Sequence, residues 1–378
     1  MLMIYLTEYR PISFLLFITL SLAFIGCHHS SKKPIIRSFC YWKTELQMDN
    51  EEKFNFNDLK IKHLYLRFFD VDWNSFVNEP RPIATVNLNW PVLPPNLEIT
   101  PCIFITNAVF LQSRSGQIDT LAIKIANRIG QVETRYDSHA IQQWANVKHA
   151  NDSAIQMFLL KDNIHDLLID CDWTPSTQKS YFHLLDRLKQ ILPTVKITTT
   201  LRLWQYNNPL KSGIPPVSRC LLMCYNLQSQ KDYNVDNSIS NTNQLGKYLK
   251  QDNYPIKCDV ALPIFRWAVL FRGGKYKGIL ANLDFKYCQM DTVNYHYCGD
   301  NRFNIKRDEL VNDQYLRVGD ELRFEYVSPD QLDKMIELIK EKVPIRNDAR
   351  ISFFSWNKKY IDDYGTKKIK SFYDHFSD

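Results

Sequence analysis

Eight short β-rich apolar runs recur along the chain, at residues 38–42, 63–69, 99–106, 167–173, 195–204, 219–225, 259–265 and 351–356, with helical stretches between them. Most are continuously apolar rather than alternating, the pattern of parallel strands covered on their outer face by helices. Eight such units point to an α/β fold, a closed (β/α)8 TIM barrel. In that arrangement the last run must pair beside the first. The chain has 378 residues, more than the ~250 such a barrel takes. The surplus falls between Trp267 and Ser328, where strand-like pieces at 277–280, 315–318 and 321–326 are separated by Gly, Asn and Asp. The expected organisation is a barrel over 37–267 and 329–357, a small β-rich α+β insertion over 268–328 after strand seven, and a C-terminal tail over 358–378.

Helix signals fit this frame. Thr174-Pro175 reads as an N-cap and first helical residue, with Tyr181, Leu184, Leu185, Leu188 and Leu192 on one face. Ser328-Pro329-Asp330-Gln331 is a capping-box pattern ahead of Leu332, Met335, Ile336 and Ile339. A third helix is expected over 119–132. The basic, aromatic tail reads as a solvated terminal helix.

Composition narrows the function classes. With 45% apolar, 13% aromatic and 23% charged residues, the chain is neither disordered, nor fibrous, nor a polytopic membrane protein. Eleven glycines are too few for a glycine-rich nucleotide fold. The net charge of +6 is spread along the chain, which is no nucleic-acid signature. At the N-terminus, Arg10 precedes an apolar run from Ile12 to Ile25, short for a span of about 20 residues. The run ends in Phe24-Ile25-Gly26-Cys27, which resembles the lipobox of bacterial lipoproteins. Residues 1–26 are thus expected to be a signal peptide, Cys27 the lipidated residue and 27–36 a polar tether. The location implied is the bacterial cell envelope, with the outer membrane favoured and membrane contact made through lipid on Cys27. Cys40, Cys102, Cys171, Cys220, Cys224 and Cys258 lie in or beside apolar runs and read as small hydrophobes. Cys288 and Cys298 lie in a polar segment, where they could pair. Nothing in the spacing calls for a metal or another cofactor.

Barrel chemistry sits at the C-terminal ends of the strands. Six tryptophans fall there: Trp42, Trp73, Trp173, Trp204, Trp267 and Trp356. Aromatic planes among amides and carboxylates suit stacking on sugar rings, although any single Trp can instead be packing. Strand four ends Asp170-Cys171-Asp172-Trp173-Thr174, so Asp170, Asp172 and Thr174 should share a face. Two carboxylates this close raise at least one pKa and prepare a proton carrier. The alternatives are a pair held by Arg67 and Arg202 from neighbouring strands, or a helix cap.

The Asp-x-Asp-Trp at this strand end resembles the Asp-x-x-Asp-x-Asp-x-Glu signature of family-18 glycoside hydrolases, the chitinases and endo-β-N-acetylglucosaminidases. Met223-Cys224-Tyr225-Asn226 is similar to their Met-x-Tyr-Asp on strand six. Leu262-Pro263-Ile264-Phe265 is similar to their strand-seven Pro-x-Tyr, after which many chitinases carry an insertion. Trp356 matches the tryptophan that floors the sugar site. The resemblance covers strand four onward. The chain also resembles a family of bacterial envelope lipoproteins with a Tyr-Trp first strand and an Asp-Cys-Asp-Trp-Thr motif. By resemblance, Asp170, Asp172 and Tyr225 would be the catalytic set, with Asp172 and Tyr225 orienting the acetamido group that serves as nucleophile. The sequence departs from the family where Thr174 replaces the acid Glu, Leu167 the first Asp, and Asn226 the Asp after the tyrosine.

Three readings follow. The first is a lipoprotein that binds a glycan or oligosaccharide of N-acetylhexosamine type with little or no hydrolysis. Its substrate-binding residues would be Trp42, Arg67, Asp70, Asn107, Arg202, Asn226, Trp267 and Trp356. The second is an active glycosidase that uses another carboxylate, Asp70 or Asp72. The third is an envelope scaffold whose barrel mouth binds protein partners.

Overall fold

The structure is a computed structural model and describes residues 34–88, 97–114, 116–149, 159–250, 254–311 and 313–377. The expected signal peptide, Cys27 and most of the tether lie outside the described residues.

The strands are β1 (Ile36–Tyr41), β2 (His63–Asn74), β3 (Glu98–Ile105), β4 (Asp166–Asp170), β5 (Lys196–Arg202), β6 (Arg219–Met223), β7 (Lys257–Pro263) and β8 (Arg350–Phe354). Each pairs in parallel with the next, and β8 returns to β1 with Arg37 opposite Ile351 and Phe39 opposite Phe353. The closed (β/α)8 barrel expected from the eight apolar runs is therefore the fold, and the β-rich insertion does follow β7.

The N-terminal half of the barrel interior is polar and largely paired, with Arg350 Nε left without a partner among the described residues. His63 lies between Ser38 Oγ and Thr100 Oγ1, each at 2.8 Å. Burial, reinforced by the Arg350 charge, holds its imidazole well below the ordinary range and therefore neutral. The Tyr65 hydroxyl donates to Asp259 at 2.7 Å, Arg219 pairs with Asp259 at 2.6 Å, and Arg350 pairs with Asp166 at 2.5 Å. These ion pairs compensate the charges held at the floor of the barrel.

Several elements run further than the sequence suggests. β2 continues past Phe69 to Asn74 and folds back antiparallel through Glu79–Ile83. Between α1 (Asn50–Asp58) and α3 (Gln178–Ile191), α2 covers Gln117–His149. Its apolar stripe continues beyond Val132 through Tyr136 and Ala140. α3 begins after a turn at 175–177 rather than at Pro175, and Thr174 O accepts from the amides of Thr177 (3.0 Å) and Gln178 (2.9 Å). α4 (Pro329–Lys342) opens on the expected capping box at Ser328 and buries Leu332, Met335, Ile336 and Ile339. The tail is not solvated. Its second helix, α5 (Thr366–Ser377), places Ile369, Phe372, Tyr373 and Phe376 on one face against the barrel, with the Tyr373 hydroxyl donating to Ser38 O.

The insertion is a five-stranded antiparallel sheet with its own core of Leu270, Phe303, Leu322 and Phe324. It is fastened to the loop after β6 by a fully buried ion pair, Arg323 with Glu325 at 2.6 Å. Arg323 also donates to the carbonyls of Asp232 (2.7 Å) and Gln230 (3.2 Å), and Glu325 accepts from the Ser238 amide (3.0 Å). Removing one partner strands the other charge, so Glu325→Ala is expected to destabilise the protein by about 3–5 kcal/mol. The paired replacement Arg323→Met with Glu325→Leu should lose much less. Calorimetric unfolding of both variants checks this.

Candidate functional site

At the C-terminal end of the barrel the strands enclose a cleft of about 370 Å³. Every barrel strand except β2 contributes to its wall, and Arg266, Trp267 and Ala281 close it from the side of the insertion. The strand ends supply the chemistry because side chains there have left the packed interior but are still held by the ladder.

The apolar wall is built around Phe354, the last residue of β8. Its ring lies 5.4 Å from Trp42, 5.2 Å from Tyr225 and 5.6 Å from Phe265, and Phe265 lies 5.0 Å from Trp267. Trp267 is fixed by its indole N–H, which donates to Glu325 at 2.9 Å. Arg67 supports the Trp42 turn by donating to the Trp42 carbonyl at 3.4 Å.

Asp170 ends β4, is buried, and accepts from Thr200 Oγ1 at 2.7 Å. Burial, with the Asp172 charge added, pushes its carboxyl up to about 6. Asp172 is half exposed and receives a two-pronged ion pair from Arg202, Nε to Oδ1 at 2.5 Å and Nη2 to Oδ2 at 2.6 Å. The pair anchors the carboxylate in one orientation while leaving its outer edge open to the cleft. Tyr225 is buried among aromatic rings, and burial holds its phenol well above the ordinary range, so it stays a neutral donor. Its hydroxyl bonds to none of the described residues. Asn226 adopts a left-handed backbone conformation (φ 54°), which asparagine tolerates, and its amide donates to Ile239 O at 2.8 Å. Its Oδ1 is buried with no partner among the described residues.

The structure brings together Asp170, Asp172, Arg202, Tyr225, Asn226, Trp42 and Trp267. Other expected residues lie elsewhere. Trp356 is not the floor. β8 ends at Phe354, the Trp356 amide donates to Cys40 O at 2.8 Å, and the indole is buried between Phe39 and Phe56 with its N–H toward Glu52 of α1. Phe354 lines the cleft in its place, a residue that the tryptophan two positions on overshadowed. Trp173 is buried against Tyr181 and donates to Ser212 O at 2.9 Å. Trp73 lies on the β2 hairpin, and Trp204 on a short helix after β5.

Arg67 and Asp70 do not line the cleft. A register shift in β2 between Arg67 and Phe69 turns residues three apart to one side, and Arg67 binds Asp70 through two nitrogens, one at 2.8 Å. Asp72 accepts from Thr106 Oγ1 at 2.6 Å. Asn107 accepts from Thr177 at 2.7 Å, outside the cleft. Thr174 does not share the face of Asp172, because β4 has ended and its hydroxyl is engaged with Ser176 and Thr177. Phe265, which stands at the tyrosine of the strand-seven Pro-x-Tyr pattern, also lines the cleft, and Arg266, Phe354 and Tyr360 are lining residues that the sequence did not single out.

Among the described residues, no group of three or more His, Cys, Asp or Glu is placed to hold a metal ion, and no helix is long and apolar enough to cross a membrane. The described cysteines are all free, Cys288 buried and Cys298 exposed, so the suggested pair is not formed.

No protein-family model matches the chain, and no curated protein does. Solved structures similar to it include the spore cortex-lytic enzyme SleL of Bacillus cereus, at 13% identity and TM-score 0.43, covering 85% of this chain and 71% of that one. SleL of Bacillus megaterium is similar at 12% identity and TM-score 0.45, covering 91% and 75%. Active domain 2 of a thermostable chitinase from Pyrococcus furiosus is similar at 11% identity and TM-score 0.40, covering 86% and 85%.

Proposed function

We propose that the barrel mouth binds a glycan containing N-acetylhexosamine-type sugars and hydrolyses it slowly or not at all. One observation carries this reading. A neutral phenol with no partner among the described residues, Tyr225, and an oriented, half-exposed carboxylate, Asp172, open onto one aromatic-walled cleft. An acetamido N–H suits the carboxylate, its carbonyl suits the phenol, and the sugar face suits Phe354 and Trp42. Slow turnover follows from Thr174, which stands where the family it resembles carries its acid and whose hydroxyl is engaged in the turn before α3. A positioned general acid contributes about 10²–10⁴-fold.

A second reading, an active glycosidase, is favoured by one specific observation. The Asp170 carboxyl, raised to about 6, titrates close to neutral pH and can take up and release a proton there. Screening the full chain in detergent against a glycan panel, with product release measured on each hit, separates the two. Binding without turnover supports the first reading. Turnover abolished by Asp170→Asn supports the second. No binding to any glycan rejects both and favours a protein-binding scaffold.

The proposed location is the bacterial cell envelope, through a lipid on Cys27. The Cys27→Ser protein is expected to lose fatty-acid labelling and leave the membrane fraction. Unchanged labelling would remove the anchor from the proposal.

A further inference from the structure

We infer that Cys220 and Cys258 are a disulfide-forming pair that staples β6 to β7. The two residues stand directly opposite each other in the parallel ladder, and their sulfurs are 3.2 Å apart. Neighbouring strands lie about 4.8 Å apart, and a disulfide accepts Cα separations of about 4.4–6.8 Å, so the backbone needs no rearrangement. Bonding requires the sulfurs to close by about 1.2 Å, within reach of small χ1 rotations. Asp259 points into the barrel toward Tyr65 and Arg219, so Cys258 faces outward under the helical layer. Both thiols lie within electrostatic reach of buried Tyr254, which is stacked on Tyr206 at 5.2 Å and whose hydroxyl has no partner among the described residues. Burial pushes the Cys220 thiol well up, so exchange is slow in the folded protein and favoured by alkaline pH.

The oxidant is a disulfide such as oxidised glutathione. One cysteine thiolate attacks it, forms a mixed disulfide and releases one glutathione thiolate. The second cysteine, losing its proton, displaces the other glutathione and forms the protein S–S bond. The protein loses two electrons and two protons, and the oxidant becomes two thiols.

The test is a peptide map of the unaltered full chain, held at alkaline pH with oxidised glutathione, then denatured, alkylated and digested. A peptide pair joined through Cys220 and Cys258 is expected, about 2 Da lighter than the two reduced peptides together. The two residues are 38 positions apart in the chain. Closing a loop of that size should raise Tm by about 5–10 °C over the reduced protein. The shift should vanish in Cys220→Ser and Cys258→Ser. Because serine at either site can disturb packing, the map of the unaltered chain decides. Full alkylation of both thiols, a link from Cys258 to Cys224 instead, or glutathione retained on one cysteine would each overturn the pairing.

Discussion

Asp170→Asn is expected to stabilise the protein at pH 7.5, by about 2–3 kcal/mol at 1.36 kcal/mol per pKa unit. The folded carboxyl is raised from 3.8 to about 6, so above pH 6 folding must bury a charge that the unfolded chain ionises freely. That penalty is full above about pH 6 and fades as both states become protonated below about pH 4. The variant's advantage should therefore be largest at neutral pH and be mostly lost by about pH 4. The asparagine oxygen can still accept from Thr200, which keeps the local geometry. Thermal unfolding of both proteins between pH 4 and pH 8 checks the expectation. A constant difference, or a variant less stable at pH 7.5, would show that the carboxyl is not raised. A buried carboxylate that lowers stability at neutral pH is what a functional group looks like, since a purely structural position would do better with an amide.

Asp172→Ala should act on binding instead. Losing a hydrogen bond to a charged group costs about 1.5–3 kcal/mol, so affinity for an N-acetylated oligosaccharide should fall roughly tenfold to a hundredfold. Stability should change little, because the Arg202 pair is partly exposed and such pairs contribute about 0–1 kcal/mol. Losing Asp172 also removes a charge that raises Asp170, so the Asp170 carboxyl should titrate at lower pH in this variant. Calorimetric titration with ligand and a pH series of unfolding measure the two effects separately. A large loss of stability with no change in affinity would assign Asp172 a structural role.

The barrel was legible because parallel strands covered by helices are buried on both faces and so carry long apolar stretches. Runs such as 219–225 and 259–265 announce themselves without any alternation to decode. Asp170, Asp172 and Tyr225 were legible because they lie at the C-terminal ends of such runs. What stayed hidden depended on the chain leaving its local pattern. The shift at Arg67–Phe69 is invisible in composition, yet it turns Arg67 toward Asp70 and withdraws both from the cleft. A two-residue alternation extended past Phe354 would carry Trp356 inward, but the strand stops and the indole turns under α1. The amphipathic tail was masked by its lysines, which share α5 with the four residues it buries. The insertion's short strands, rich in charge and tyrosine, gave only fragments of a five-stranded sheet.

The most direct test is a crystal structure of the protein with a β-1,4-linked N-acetylglucosamine tetramer. We expect one acetamido group between Asp172 and the Tyr225 hydroxyl, with its sugar ring against Phe354 and a neighbouring ring toward Trp42 or Trp267. A sugar seated elsewhere on the protein, or a cleft left empty at ligand concentrations that saturate binding in solution, would contradict the assignment of the barrel mouth as the glycan site.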